Sequence, residues 1–191
     1  MTGLGGDSVV AGDAVLQAVV DAAVQATAAI AGWLVTPRDD ELLVVASVGE
    51  GAHALVGRTV PVTAGTAGFV IASAQPLALG GSGDDRLAHG VPELLGHLPN
   101  AVLCVPCVQD DAVIGALELI DKEGTSRFTF DDVEIVTLLA GIAAAALAAA
   151  APATVLPSPS ELAADLQRLA AADVRRYAAV AGALTALLGD A

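Results

Sequence analysis

Basic residues are scarce in this sequence. Only eight Lys and Arg residues stand against 22 Asp and Glu residues, which gives a net charge of −14. Binding to nucleic acid or to an anionic membrane surface depends on clustered Lys and Arg side chains. The composition therefore argues against both, and we expect the protein to bind neither nucleic acid nor a membrane.

Targeting signals are lacking as well. The first ten residues, MTGLGGDSVV, contain neither a basic region nor a long apolar run. The longest apolar stretch, residues 138–151, is shorter than the ~20 residues that span a bilayer, and it consists mostly of Ala. Ile135, Leu138, Leu139 and Ile142 fall on one helical face, which predicts a packed amphipathic helix. We therefore expect a cytoplasmic protein.

Cysteine and aromatic residues are few, since the chain has two Cys and only 3% aromatics. Cys104 and Cys107 lie in an apolar run, where residues three apart on a strand point to opposite faces, so they cannot easily share a disulfide or a metal. A zinc site would need two more ligands. We expect two buried thiols, and the sequence contains no nucleophile–base pair or phosphate loop. No catalytic residue and no metal site is assigned.

The clearest structural pattern lies near the middle of the chain. Two apolar runs, residues 101–108 and 112–120, flank the turn signal Gln109-Asp110-Asp111, which predicts a β-hairpin. Thr129 stands three positions before Asp132, an acidic variant of the capping box, at the start of an apolar periodic run. The pattern therefore predicts a strand, a tight turn, a second strand and a helix.

A strand that ends in VPC, a hairpin, a strand that ends in LELIDK and the run RFTFDDVEIVTLLA follow one another here. This order resembles the C-terminal half of a GAF domain. The matching positions are Asp121, Lys122, Phe128 and Asp132, with Asp121 in place of the usual Asn and Val133 in place of a Glu. The resemblance implies a tie between Lys122 and Asp132, which would join the strand end to the last helix.

The resemblance covers about residues 13–150 and implies an α+β fold with an antiparallel sheet between helices. Apolar patterns predict a helix that ends near residue 29 and strands at 31–36 and 42–48. The family's Gly-rich helix entry and following strand are matched by Gly65, Gly68, Gln75 and Pro76. Residues 80–99 form the long variable segment, which often covers the ligand pocket in this family.

The C-terminal part of the chain has a pattern of its own. Ser158 and Glu161 form a capping box with Pro159 at the first helical position. Large apolar residues then recur at helical spacing, which predicts one amphipathic helix of about thirty residues, packed on its own domain or on a partner. The expected parts are a disordered N-terminus (1–12), a GAF-like domain (13–151), a Pro-rich linker (152–159) and a C-terminal helix (160–188).

The resemblance also directs the search for a ligand pocket. Trp33 and Phe69 are the aromatic candidates, although Phe69 also suits a core position. Thr66 could clamp a polar ligand, and Cys104 is a further candidate. Because these residues are far apart in the sequence, the fold must bring them together.

The variable segment contributes polar candidates. Asp84 and Arg86 could reach a polar ligand. His89 and His97 lie where some haem-binding GAF domains place an axial ligand. A bilin would require a Cys in this segment, which has none, and the cofactor is left unidentified.

We interpret the chain as a non-enzymatic regulatory or sensory module in signal transduction, acting through small-molecule binding, helix-mediated association or both. The family's reductase of free methionine sulfoxide uses cysteines that lie partly in loops, where this chain has none. The alternatives are a ligand-free scaffold or assembly subunit and a haem-binding redox or gas sensor. Small residues in the terminal helices predict a homodimer or larger assembly, and the C-terminal helix could hold a protein partner.

Overall fold

The structure is a computed structural model of the chain. It describes residues 6–80, 90–96, 98–125, 127–150 and 159–189. The chain divides into two compact units, Met1–Ala151 and Pro152–Ala191. The larger unit is an α+β domain with one antiparallel sheet and helices on both of its faces, which confirms the predicted fold class.

Six strands form the sheet in the order β3-β2-β1-β6-β5-β4, and all neighbouring strands are antiparallel. The predicted hairpin between β5 and β6 is confirmed. Its turn residues Asp110 and Asp111 have φ values of 48° and 62°, a left-handed conformation that Asp tolerates in tight hairpin turns. The strands are β1 (Ala29–Arg38), β2 (Glu41–Val48), β3 (Thr59–Pro61), β4 (Leu77–Gly80), β5 (Ala101–Gln109) and β6 (Ala112–Lys122).

Helices of the larger unit occupy the predicted positions, apart from an earlier start of the first helix and two short helices that were not predicted. α1 begins at Gly6, so the predicted disorder of residues 1–12 is wrong for residues 6–12. A single Gly inside a helix costs only about 1 kcal/mol, and no Pro interrupts this stretch. α3 was not predicted and lies within the variable segment, with Pro92 in its first turn. The helices of this unit are α1 (Gly6–Thr27), α2 (Gly65–Ser73), α3 (Val91–Leu95), α4 (Phe130–Ala150) and a 3-10 helix (Ala52–Leu55).

Each face of the sheet has its own apolar core. On one face α1 and α4 pack side by side against β5, β6 and β1. On the opposite face lie α2 and the 3-10 helix, with α3 near the latter. Larger side chains such as Leu16, Leu103 and Leu119 fill the first core, and Trp33, Leu42 and Ile120 fill the second.

The orientation of α4 differs from the prediction. Leu138 and Ile142 are 73% and 52% exposed, and Ile135 is 38% exposed, so three members of the predicted stripe face away from the core. The fourth, Leu139, is partly buried and packs against the core. The inward face is built mostly of Ala. Because Asp132 is buried by its tie to Lys122, residues four apart from it point inward too, and the bulky stripe must turn outward. The inward residues are Asp132, Val136, Ala140, Ala143, Ala144 and Leu147.

Among the described residues, α4 is also the one helix long and apolar enough to cross a membrane, with a mean hydropathy of 2.1. Its inward face packs against the sheet and α1, and its first turn is fixed by an ion pair. Only 22% of its most apolar window is buried in the domain. Core helices of folded domains can meet the same criteria, so length and hydropathy alone do not establish a membrane span.

Two glycines provide a matched test of packing above β6. A Cβ at Gly115 would lie 2.6 Å from the Val35 carbonyl oxygen and 2.8 Å from Leu147 Cδ1. We expect Gly115→Ala to lower the free energy of unfolding by about 1–3 kcal/mol through overpacking. Gly141 has no neighbour within 4 Å of such a Cβ and lies inside α4, so Gly141→Ala should raise stability by about 1 kcal/mol. Urea denaturation of both variants measures the difference, and equal effects would contradict the predicted clash.

The C-terminal unit contains two helices, α5 (Pro159–Ala172) and α6 (Val174–Gly189), so the prediction of one helix over 160–188 is wrong. The break falls at Asp173, whose carboxylate accepts a hydrogen bond from the Arg176 backbone N–H at 3.0 Å. An Asp that caps a new first turn competes with helix continuation. None of the described side chains of the C-terminal unit is buried, and Leu162 is 43% and Val174 is 70% exposed.

Candidate functional site

A row of side chains crosses the sheet beneath α2. Trp33 on β1 is the register partner of both Ser47 on β2 and Glu118 on β6. Glu118 is in turn paired with Cys104 on β5, and Cys104 with Leu77 on β4. Directly opposite residues in antiparallel strands point to the same face. These five residues therefore form one continuous row, which we call the Glu118 row.

Glu118 carries the one carboxyl group of this row, and it is fully buried. The indole N–H of Trp33 donates a hydrogen bond to Glu118 Oε2 at 2.7 Å. The hydroxyl of Thr66, at the start of α2, donates to Glu118 Oε1. Burial raises the pKa of Glu118, and the two hydrogen bonds oppose that rise without cancelling it. The carboxyl group thus joins β6, β1 and α2 at one point.

The two cysteines lie on opposite faces of β5, which confirms that prediction. Cys104 is in the core beneath α2, and Cys107 is in the core beneath α1 and α4. Both thiols are free and buried. Burial, reinforced by the nearby Glu118, raises the pKa of Cys104 well above its ordinary value, and burial raises the pKa of Cys107 to about 12. Because the thiolate is the reactive form, neither residue is suited to nucleophilic catalysis.

A groove lies on the side of α2 that faces away from the Glu118 row. It has a volume of about 920 Å³. Helical spacing places Gly65, Phe69 and Ala72 toward the groove, whereas Thr66 and Val70 face the sheet. Phe69 is 44% exposed. The groove is lined by Pro61, Val62, Thr63, Ala64, Gly65, Gly68, Phe69, Ile71, Ala72 and Glu93.

The fold brings together some of the candidates from the sequence. Trp33, Thr66 and Cys104 meet at Glu118. Phe69 lies on the opposite side of α2, in the groove.

The remaining candidates, Asp84, Arg86 and His89, lie outside the described residues, as does His97.

Glu118 was missed by the sequence analysis. The signal was available, because one acidic residue interrupts an otherwise apolar run in β6. In a strand that is buried on both faces, such a residue has no solvent-exposed side to occupy.

The ion pair implied by the family resemblance is present. Lys122 Nζ lies 2.6 Å from Asp132 Oδ2, and the two side chains are 17% and 7% exposed. Asp132 Oδ2 also accepts hydrogen bonds from the Thr129 N–H at 2.7 Å and from its hydroxyl at 2.9 Å. At the position where the family has Asn, Asp121 accepts a hydrogen bond from the Asn100 N–H at 2.7 Å. These contacts fix the ends of β5, β6 and α4.

Metal-binding groups are not assembled in the part of the chain that the structure describes. No three His, Cys, Asp or Glu side chains there lie close enough together to hold a metal ion. The Glu118 row offers one carboxylate and one thiol, with an indole between β2 and β6. All three of these side chains are fully buried, and the hydrogen-bonding atoms of Glu118 and Trp33 are paired with each other and with Thr66.

Comparison with known proteins identifies the fold. The sequence profile of the GAF domain matches residues 12–147, which is most of the chain. The chain belongs to the GAF domain family. The GAF-B domain of DevS from Mycobacterium smegmatis is similar in structure, with a TM-score of 0.58, 22% identity and coverage of 83% of this chain and 98% of that chain.

Two further similar structures come from different kinds of protein. The GAF domain of a phosphoenolpyruvate-protein phosphotransferase from Coxiella burnetii has a TM-score of 0.63 and 23% identity, and the match covers 72% of this chain and 82% of that chain. Free methionine-R-sulfoxide reductase from Neisseria meningitidis has a TM-score of 0.57 and 21% identity, with 73% and 79% covered. No curated protein sequence matches the chain significantly.

GAF domains are in general regulatory or sensory modules that bind small molecules, and the fold also serves some enzymes, as the reductase shows. At these levels of identity the structural neighbours establish the fold alone. The function of this GAF domain therefore depends on its own side chains.

The raised pKa of Glu118 predicts how stability depends on pH. The folded state binds this proton more tightly than the unfolded state, so Glu118 lowers stability as the pH rises above ~4.3 and through the folded pKa. In Glu118→Gln, the amide oxygen can still accept from Trp33 and the amide N–H can donate to Thr66. We expect this variant to be more stable than the parent at pH 8, by about 1–2 kcal/mol, with a smaller difference near pH 4.

Thermal unfolding from pH 4 to pH 8 measures this effect, and Glu134→Gln, at an exposed position on α4, is the matched control. A Glu118→Gln variant that is less stable than the parent at every pH would contradict the prediction, because Glu118 would then be needed as a charged structural link.

Proposed function

We propose that this GAF domain is a non-enzymatic regulatory or sensory module of the cytoplasm that binds a small molecule at the Glu118 row. The observation that carries the proposal is the fully buried carboxyl group of Glu118, bonded to Trp33 and to Thr66 of α2. Burying a carboxyl group costs several kcal/mol that a purely structural core can avoid with apolar residues. A perturbed group of this kind, held by an aromatic and a hydroxyl side chain, is typical of a binding site.

The chemistry of the site supports binding more than catalysis. The one nucleophile in the row, Cys104, has its pKa raised by burial and by the carboxyl group of Glu118. A carboxyl group beside a thiol disfavours the thiolate that catalysis would need. Binding that displaces Thr66 from Glu118 would instead change the position of α2, which is the kind of event that a sensory domain can transmit.

Native mass spectrometry of protein purified from its source tests this proposal, since it reports bound mass and oligomeric state together. We expect a bound small molecule, which is lost on mild denaturation and is reduced in a Trp33→Phe variant prepared in the same way. A parent protein that carries no bound mass, and that gains none from an extract of small metabolites, would contradict a ligand-binding function.

A second candidate function, as an assembly subunit, is favoured by the outer surface of α1 and α4. Val15 on α1 is 45% exposed, and α4 exposes Ile135, Leu138 and Ile142. We call these four residues the outer helical face. On α4, Ile135, Leu138 and Ile142 follow one another at helical spacing and form an exposed apolar stripe, which is typical of an interaction site. We propose that a homodimer or larger assembly forms through it, with the C-terminal helices available to a further partner.

A further inference from the structure

The Glu118 row combines a carboxyl group with an indole ring. Trp33 and Glu118 are register partners on the two central strands, so their side chains lie next to each other on one face. Proteins recognise ammonium and guanidinium groups with this combination, because the carboxylate supplies the opposite charge and the ring face attracts the cation. An anion would be repelled by Glu118, and an apolar ligand would gain nothing from it.

Glu118 retains capacity for a further partner. A carboxylate can accept about four hydrogen bonds. Those described here come from Trp33 and Thr66, which are both neutral donors. None of the described Lys and Arg side chains forms an ion pair with it, since the described pairs are Lys122–Asp132 and Arg168–Asp165. A cation that entered the row would provide the opposite charge that a buried carboxylate otherwise lacks.

α2 is the element that would have to move. It is only nine residues long, and Ala64 at its start makes no side-chain cap, whereas at its end the Ala74 N–H donates to the Val70 carbonyl oxygen. Thr66 connects it to the polar part of the sheet by one hydrogen bond to Glu118. On its other side lies the groove of about 920 Å³, which leaves room for displacement away from the sheet. A ligand that replaced Thr66 at Glu118 would therefore release α2.

We infer that the Glu118 row is a binding site for a compact organic cation, an alkylammonium or alkylguanidinium group, which pairs with Glu118 beside Trp33 and displaces Thr66. The inference rests on the proposed function and adds the chemical class of the ligand. It makes Glu118 the specificity-determining residue and Thr66 an internal competitor for the same carboxylate.

The test uses Trp33 as the reporter, because it is the only Trp in the chain. Its fluorescence is titrated with n-butylammonium and with methylguanidinium at constant ionic strength. The neutral 1-pentanol and the anion valerate serve as probes of similar length. We expect a saturable fluorescence change with the two cations and none with the other two probes.

Three variants identify the residues responsible. Glu118→Gln should weaken cation binding at least tenfold while Glu134→Gln, at the exposed position on α4, leaves it unchanged. Thr66→Val keeps the side-chain shape but removes the competing hydroxyl, so it should strengthen cation binding several-fold. That increase is the readout that a purely structural role of Glu118 would not produce, and it does not depend on the folding of the Glu118 variant.

The outcomes separate this inference from the proposed function. Equal responses to n-butylammonium and 1-pentanol, or cation binding unaffected by both Glu118→Gln and Thr66→Val, would overturn the cation assignment. If native mass spectrometry then showed a neutral or anionic bound molecule, the proposed sensory function would stand and only the cation assignment would be lost. If none of the four small molecules changed the Trp33 fluorescence and no bound mass were found, the cation assignment and the proposed function would both be overturned.

Discussion

Replacing Asp132 with Ala is expected to lower the free energy of unfolding by about 3 kcal/mol. The carboxylate pairs with Lys122 Nζ and accepts two hydrogen bonds from Thr129, and both partners of the ion pair are largely buried. Breaking a buried pair by removing one partner costs about 3–5 kcal/mol, and loss of an N-terminal cap about 0.5–2 kcal/mol. The two effects overlap because one side chain provides both contacts, so they do not add, and the expected loss lies at the lower end of the range for a buried pair.

The destabilisation caused by Asp132→Ala should become smaller as the pH falls. Burial acts to raise the pKa of Asp132, but the hydrogen bonds from Lys122 and Thr129 outweigh it and hold that pKa below its ordinary value. The unfolded state then binds the proton more tightly than the folded state. The contribution of Asp132 is therefore fully present above about pH 4 and is lost as the pH falls through the folded pKa.

Urea denaturation at pH 7 and at pH 3 measures both effects. Glu134→Ala, on the same helix but exposed, should change stability by less than ~0.5 kcal/mol and is the matched control. If Asp132→Ala and Glu134→Ala were equally stable at pH 7, the Lys122–Asp132 pair would not be what holds α4 in its orientation.

Two substitutions on the outer helical face should convert an assembled protein into a monomer. Leu138 and Ile142 are the most exposed of its members on α4, and burying each in an interface would contribute about 1.5–3 kcal/mol. In a two-fold dimer every contact occurs twice. We therefore expect Leu138→Asp combined with Ile142→Asp to weaken association by at least a hundredfold while leaving the thermal stability of the monomer almost unchanged.

Light scattering at micromolar concentration measures the mass. The parent protein should show no monomer, and Val108→Asp, which places the same charge on an exposed apolar position at the hairpin of β5 and β6, should behave like the parent. Deleting residues 157–191 separates the two helical regions. A truncated protein that became monomeric would assign the interface to the C-terminal helices, whereas a parent that was monomeric from the start would contradict assembly altogether.

The elements that the sequence predicted are those specified by local chemistry. The turn at Asp110 and Asp111, the capping of α4 by Thr129 and the opposite faces of Cys104 and Cys107 each depend on a few neighbouring residues. Local rules of this kind need no knowledge of the partner strand or helix. The family resemblance then supplied the antiparallel sheet between helices, whereas the order of the strands was not predicted.

The features that were not predicted depend on contacts between distant parts of the chain. Periodicity finds the apolar stripe of α4 but cannot decide which side of the helix faces the sheet. That choice is made by Lys122, ten positions before Asp132. The break at Asp173 reflects a capping preference that outweighs a continuous apolar pattern. Glu118 was overlooked because its partners, Trp33 and Thr66, are 85 and 52 positions away.

The placement of one thiol in each core makes the two halves of the domain separately observable. Cys104 lies beneath α2 and Cys107 beneath α1 and α4, and neither is accessible in the closed structure. A thiol reagent can reach each one only when its own side of the sheet opens, so labelling rates of single-Cys variants report local opening free energies. Faster labelling at Cys104 than at Cys107 would show that the layer beneath α2 opens while the helical layer of α1 and α4 stays closed.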